Sequence, residues 1–157
     1  MKDTMNKVAG VLKGLLITLK YAFKRPVTIR YPEEKRKLPA RSRGRHYLTK
    51  WEDGQERCVG CELCAIVCPS QAIYVKPGQN NPEAPHSHGE RYASDFQINM
   101  LRCIYCGYCE EACPTGAIIL SNEYELSGYS REELIFTKEM LTEAKPGDSG
   151  RDPCREI

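Results

Sequence analysis

The sequence predicts an α+β fold built from two copies of one loop, short helix and strand unit, a pseudo-twofold domain preceded by an amphipathic helix and an extended basic strap. Three observations predict it. A cysteine string, Cys58-x-x-Cys61-x-x-Cys64-x-x-x-Cys68-Pro69, recurs as Cys103-x-x-Cys106-x-x-Cys109-x-x-x-Cys113-Pro114, and each copy runs into a matched tail, Ser70-Gln71-Ala72-Ile73 and Thr115-Gly116-Ala117-Ile118. Apolar residues near the N-terminus recur at helical spacing. Charge is split along the chain, because residues 1–50 hold 14 Lys/Arg against 3 Asp/Glu and residues 51–157 hold 9 against 18. A half of net charge +11 therefore precedes a half of −9, the pattern of a basic arm that seeks an anionic surface, joined to an acidic domain with no use for nucleic acid.

On a helix from Val8 to Phe23, the residues Val8, Val11, Leu12, Leu15, Leu16, Leu19, Ala22 and Phe23 form one continuous arc, and Lys2, Lys13, Lys20 and Lys24 fall just outside it. An apolar face bordered by lysines suits a membrane interface or a partner protein; docking on the chain's own core is the plainer alternative. No run of about 18 apolar residues occurs, so no helix can cross a bilayer. The longest uncharged run near the start, Gly14 to Leu19, is too short for a signal peptide, and the lysine-rich, serine-poor composition is unlike a transit peptide. An uncleaved, cytosolic N-terminus is expected. Arg25-Pro26 ends the helix, since the residue before proline is pushed out of the α region.

From Pro32 to Lys50 the chain carries Lys35, Arg36, Lys37, Arg41, Arg43 and Arg45 with few apolar anchors, a strap that needs a partner to become ordered. A solvated linker fits the composition equally well, while a nucleic-acid arm would want more aromatics than Tyr31 and Tyr47. Lys76 to Arg91, rich in Gly, Pro, Asn and His, reads as a surface loop or hairpin. Phe96, Ile98 and Met100 alternate as in a strand. Ser130 can cap a last helix through Leu141, and the tail from Lys145 reads as disordered. The expected division is thus a docking helix over 1–25, a basic strap over 26–50, the cysteine domain over 51–126 with a loop insertion at 76–95, and a C-terminal helix and disordered tail over 127–157. Removal of residues 1–50 should leave the cysteine domain intact.

In a reducing compartment, spaced cysteines are ligands rather than bridges. Three at i, i+3 and i+6 let one tight loop wrap three corners of an iron–sulfur cubane, with inward backbone amides donating to sulfur. In the C-x2-C-x2-C-x3-C-P run of two-cluster proteins the fourth cysteine serves the other cluster. A first [4Fe-4S] cluster then takes Cys58, Cys61, Cys64 and Cys113, and a second takes Cys103, Cys106, Cys109 and Cys68. Structural zinc explains four cysteines in a tetrahedron but not eight in triplets. Two clusters use all eight and leave only Cys154, read as a surface thiol. His86, His88 and His46 carry no partner signal and read as ordinary polar residues. Val59, Ile66, Ile73, Ile104 and Ile118 are placed to form a dry shell. No nucleophile–base pair, Gly-rich nucleotide loop or open ligand position appears. The chemistry is single-electron transfer, in a fold of the bacterial two-[4Fe-4S] ferredoxin type.

Beyond that motif, Arg30-Tyr-Pro-Glu-Glu-Lys35, Arg43-Gly-Arg-His-Tyr-Leu48, Glu56-Arg-Cys-Val-Gly-Cys-Glu-Leu-Cys64, Cys103 to Thr115 and Asn122-Glu-Tyr-Glu-Leu126 resemble one family closely: subunit I of the proton-pumping NADH:quinone oxidoreductase, respiratory complex I. The resemblance spans residues 20 to 142. It implies an electron-relay subunit of the peripheral arm, on the cytoplasmic face of the cell inner membrane. Its two clusters would pass electrons toward a terminal cluster and the quinone site. The partners so implied are other peripheral-arm subunits and a membrane subunit, with NADH and flavin bound elsewhere and no catalytic site in this chain. A diffusible two-cluster ferredoxin is disfavoured by the 50-residue basic half. The equivalent subunit of a membrane hydrogenase or of a ferredoxin-fed relative stays open, because the electron donor binds elsewhere.

Overall fold

The computed structural model describes residues 2–39 and 41–142, and the chain divides into two units, Met1–Lys37 and Leu38–Ile157. In the first, helix α1 spans Lys2–Ala22. Its apolar arc, including Val11, Leu12, Leu15 and Leu16, is exposed. Among the described residues no helix is long and apolar enough to cross a membrane.

The second unit contains two small sheets joined by the cysteine loops. Strand β1 (His46–Leu48) pairs antiparallel with β4 (Ile118–Leu120), matching His46 with Leu120 and Leu48 with Ile118. Strands β2 (Ile73–Gln79), β3 (Arg91–Asn99) and β5 (Ile135–Thr137) form an antiparallel sheet in the order β2-β3-β5, with Ile73 opposite Ile98 and Val75 opposite Phe96. Four-residue helices α2 (Leu63–Ile66) and α3 (Tyr108–Glu111) follow the second cysteine of each triplet. The core gathers Leu48, Val75, Phe96, Ile98, Met100, Ile118, Leu120, Phe136 and Leu141 with Cys64 and Cys109. Alternate residues of each strand supply it because successive side chains point to opposite faces.

The strap does not run to residue 50. Backbone bonds from Gly44 N–H to the Ser121 carbonyl (2.7 Å), Arg45 N–H to Glu123 (2.7 Å) and Thr49 N–H to Ala117 (2.8 Å) carry 44–49 into the cysteine domain. Composition averages hide this, because His46 and Leu48 point inward at period two between outward arginines. The Arg45 guanidinium lies 4.8 Å from the Phe136 ring centre and extends the core with its stem. A fragment starting at residue 51 therefore lacks a core strand, contrary to the expectation from composition.

The insertion is also more ordered than a loop. Pro77, Gly78 and Gln79 pair with Ala93, Tyr92 and Arg91 across a register shift. At its tip the Asn80 amide donates to the carbonyls of Ser87 (2.6 Å) and Gly89 (2.8 Å) and accepts from His86 N–H (2.8 Å). The C-terminal helix is likewise broken up. The Ser130 hydroxyl accepts from Glu133 N–H (3.4 Å) but caps only a 3-10 turn, Glu132–Leu134. Then β5 places Phe136 opposite Ile98, and α4 covers Lys138–Thr142. Burying Phe136 between β-branched Ile135 and Thr137 outweighs the local helical signal. The tail predicted to be disordered, and Cys154 within it, lie outside the described residues.

Candidate iron–sulfur centres

Each triplet loop is shaped by left-handed residues at matched positions. They are Gly60 (φ 62°), Glu62 (φ 63°) and Gln71 (φ 50°) in the first copy, and Tyr105 (φ 54°), Gly107 (φ 84°) and Gly116 (φ 60°) in the second. Successive turns of this hand aim backbone N–H groups into a concavity. The glycine changes place between copies for a steric reason. A Cβ on Gly60 would stand 2.7 Å from the Tyr92 carbonyl oxygen, so β3 forbids a side chain there. At the equivalent Tyr105 a full aromatic side chain is accommodated.

The loops bring all eight predicted cysteines around two cavities. Cys58, Cys61, Cys64 and Cys113 line the first, with about 340 Å³ of empty volume, beside Leu48, Val75, Phe96 and Ile118. Cys68, Cys103, Cys106 and Cys109 line the second, about 290 Å³, beside His46, Ile73 and Ile104. Each cavity thus takes three cysteines from one repeat and one from the other. The four-residue helices make the exchange, since each carries the chain from the last cysteine of a triplet toward the opposite cavity. Among the described residues no three His, Cys, Asp or Glu side chains converge on a single metal ion. The thiols ring a space instead, which suits a polynuclear group.

Donors to sulfur repeat with the motif. Ala72 N–H reaches Cys68 Sγ at 3.3 Å and Ala117 N–H reaches Cys113 Sγ at 3.2 Å. The Ser70 and Thr115 hydroxyls lie 3.5 and 3.6 Å from the same two sulfurs. Burial, reinforced by neighbouring thiols, pushes Cys64 and Cys109 up to about 12 and raises Cys58 and Cys103. Burial also opposes ionisation of Cys68, but Ser70 and the amides of Ala72, Ser70 and Ile73 outweigh it and hold that thiol below its ordinary value. Four crowded thiolates in a dry pocket need positive charge to offset them, and iron supplies it.

Sequence reasoning missed three features. His46 is buried on β1 with Nε2 3.8 Å from Cys103 Sγ. Desolvation lowers its pKa to about 4. The alternation of His46 with Leu48 in a strand was the available signal. Arg43 donates to the Cys106 carbonyl and lies 3.3 Å from the Glu111 carboxylate, fixing the outer side of the second loop. The dry shell is also revised: Ile66 at the end of α2 is 75% exposed and Ile104 on a loop is 62% exposed, and Phe96, Val75 and Leu48 do the covering. His86 and His88 behave as polar surface residues, the first stacked on Tyr92 (ring centres 4.4 Å apart) and the second 2.6 Å from the Asp53 carboxylate.

Comparison with known proteins agrees with this chemistry. Residues 57–117 match the 4Fe-4S dicluster domain. NADH-quinone oxidoreductase subunit I of Protochlamydia amoebophila is 76% identical over all of both chains. Subunit I 1 of the same oxidoreductase from Symbiobacterium thermophilum is 51% identical, covering 90% of this chain and 88% of its own. Subunit 9 from Thermus thermophilus is 54% identical over 83% of this chain and 71% of its own. A solved chain of the membrane-bound sulfane sulfur reductase, an archaeal respiratory membrane complex, is 34% identical with a TM-score of 0.51, covering 75% of this chain and 56% of that one. On full-length identity, the chain belongs to the NADH-quinone oxidoreductase subunit I family, and it serves as an electron-relay subunit of complex I with two 4Fe-4S clusters.

Proposed function

We propose that Cys58, Cys61, Cys64 and Cys113 hold the first cluster and that Cys103, Cys106, Cys109 and Cys68 hold the second. The observation that carries this is the grouping of the eight thiols around two cavities, three from one repeat and one from the other. The clusters supply one-electron redox chemistry. The chain's own residues set its conditions. Phe96, Val75 and Ile118 exclude water from the first cavity, and the Ala72 and Ala117 amides donate to the two crossing thiolates, favouring the reduced state.

On this reading the chain is a relay without catalysis of its own. NADH and quinone would react on other subunits of the peripheral arm and at a membrane subunit. Electrons would enter and leave through protein contacts. The exposed apolar arc of α1 and the +11 charge of residues 1–50 support a peripheral seat on the cytoplasmic face of the membrane, with α1 against lipid or a membrane subunit.

Paramagnetic resonance on single variants tests the ligand assignment. Once Cys61→Ser and Cys106→Ser have identified the signal of each repeat, Cys68→Ser should alter the signal that Cys106→Ser alters, and Cys113→Ser the one that Cys61→Ser alters. If Cys68→Ser instead changes the same signal as Cys61→Ser, ligation is local and the proposal fails.

A further inference from the structure

The two repeats are related closely enough for each position in one to have a partner in the other. Val75 of β2 corresponds to Leu120 of β4, and their cross-strand partners are Phe96 and His46. Both partners are about 1% exposed. Phe96 lines the first cavity and His46 the second. At the same place in the pseudo-twofold frame, one cavity therefore meets a phenyl ring and the other an imidazole.

The imidazole is aimed. Its Nε2 lies 3.8 Å from Cys103 Sγ, and its ring is 5.9 Å from that of Tyr105, on the loop beside Cys103. Its Nδ1 is buried without a hydrogen-bond partner. That leaves two arrangements for a neutral ring. With the proton on Nδ1, a buried donor has no acceptor and the Nε2 lone pair faces sulfur. With the proton on Nε2, the N–H donates to sulfur and only an acceptor is orphaned. Against a thiolate, which has no proton to offer, the second arrangement is favoured. Amides and hydroxyls serve the two crossing sulfurs symmetrically, so this contact differs between the repeats.

We propose that His46 is a positioning residue for electron transfer: its Nε2–H donates to the Cys103 thiolate and raises the reduction potential of the second cluster relative to the first. When that cluster accepts one electron from a neighbouring redox centre of the complex, negative charge grows on its sulfurs and the contact strengthens; when the electron passes on, it relaxes. No proton is taken up or released. The inference rests on the ligand assignment proposed above.

Redox titrations of the full-length chain carrying both clusters, followed by paramagnetic resonance, test it. His46→Phe copies the first cavity's residue. It should lower the second cluster's midpoint by about a tenfold change in the reduction equilibrium, about 59 mV for a one-electron couple, and leave the first cluster unmoved. His46→Gln, which keeps an N–H, should recover most of that shift. An unmoved second midpoint, or equal movement of both, overturns the proposal. Should His46→Phe lose iron, the wild-type chain with 15N-histidine decides the matter: the reduced second cluster should couple to a histidine nitrogen and its exchangeable proton, and absence of that coupling is equally fatal. His86 and His88 line neither cavity. If Cys103→Ser leaves the second signal unaltered, the ligand assignment falls and this inference with it; an altered Cys103→Ser signal with an unmoved His46→Phe midpoint removes the inference alone.

Discussion

The first and second cysteine repeats share ligand spacing, left-handed turns and donors to the crossing sulfurs, yet differ in nearly everything that surrounds them. The first repeat's strand, β2, finds its partner β3 across the insertion hairpin, while the second repeat's strand, β4, borrows β1 from the end of the basic strap. Around the first loop β3 passes so close that residue 60 must be glycine; around the second, an exposed Arg43 side chain closes the loop from outside. The duplication therefore supplies the ligands, and the flanking chain makes two unequal redox sites from them.

Breaking that borrowed pairing should have the largest effect. A chain starting at residue 38 keeps β1 and should hold both clusters. A chain starting at residue 51 loses β4's strand partner among the described residues, Leu48 at the first cavity and His46 at the second, and should lose most of its iron. Iron and sulfide analysis of the two truncations checks this, and equal cluster content would show that β1 is dispensable.

The glycine exchange predicts a smaller asymmetry. Gly60→Ala adds strain at positive φ, about 1–3 kcal/mol, and also drives a Cβ against the Tyr92 backbone. Gly107→Ala meets only the flexible Arg43 side chain (2.8 Å to Nε), which can swing away. Thermal unfolding of the loaded chains should therefore rank Gly60→Ala below Gly107→Ala. The reverse order would mean that the β3 approach is not what fixes glycine in the first loop.

Arg43→Ala should cost less again, about 1 kcal/mol, because its pair with Glu111 is half-exposed on both sides and the bond to the Cys106 carbonyl supplies most of the loss. Its signature is local: the second cluster should become more sensitive to oxygen and the first should not, as decay of the two resonance signals in air will reveal. At the bottom of the scale, Cys154→Ser should leave cluster content unchanged, and iron loss there would mean that the count of eight ligands is wrong.

The ligands were legible because spacing alone dictates them. Three cysteines three residues apart can wrap one cluster, and the Cys-Pro beyond a short helix can only serve another. The N-terminal helix was equally legible, since periodicity needs no tertiary information. The 127–157 segment misleads because Ser130 and the charges after it form a real local helical signal. Phe136 could be recognised as a core residue only with Ile98 already opposite it. His46 went unnoticed for the same reason. In the sequence it is one polar residue in a basic strap.

What the sequence by itself determined, then, is the number and kind of redox centres, because ligand geometry is local in the chain and repeats intact. What only the tertiary structure decided is how the two centres differ. The residues that cover them come from strands distant in sequence, Phe96 from β3 and His46 from β1. Long-range pairing sets which side chain each strand turns toward a sulfur, and no pattern along the chain records that register.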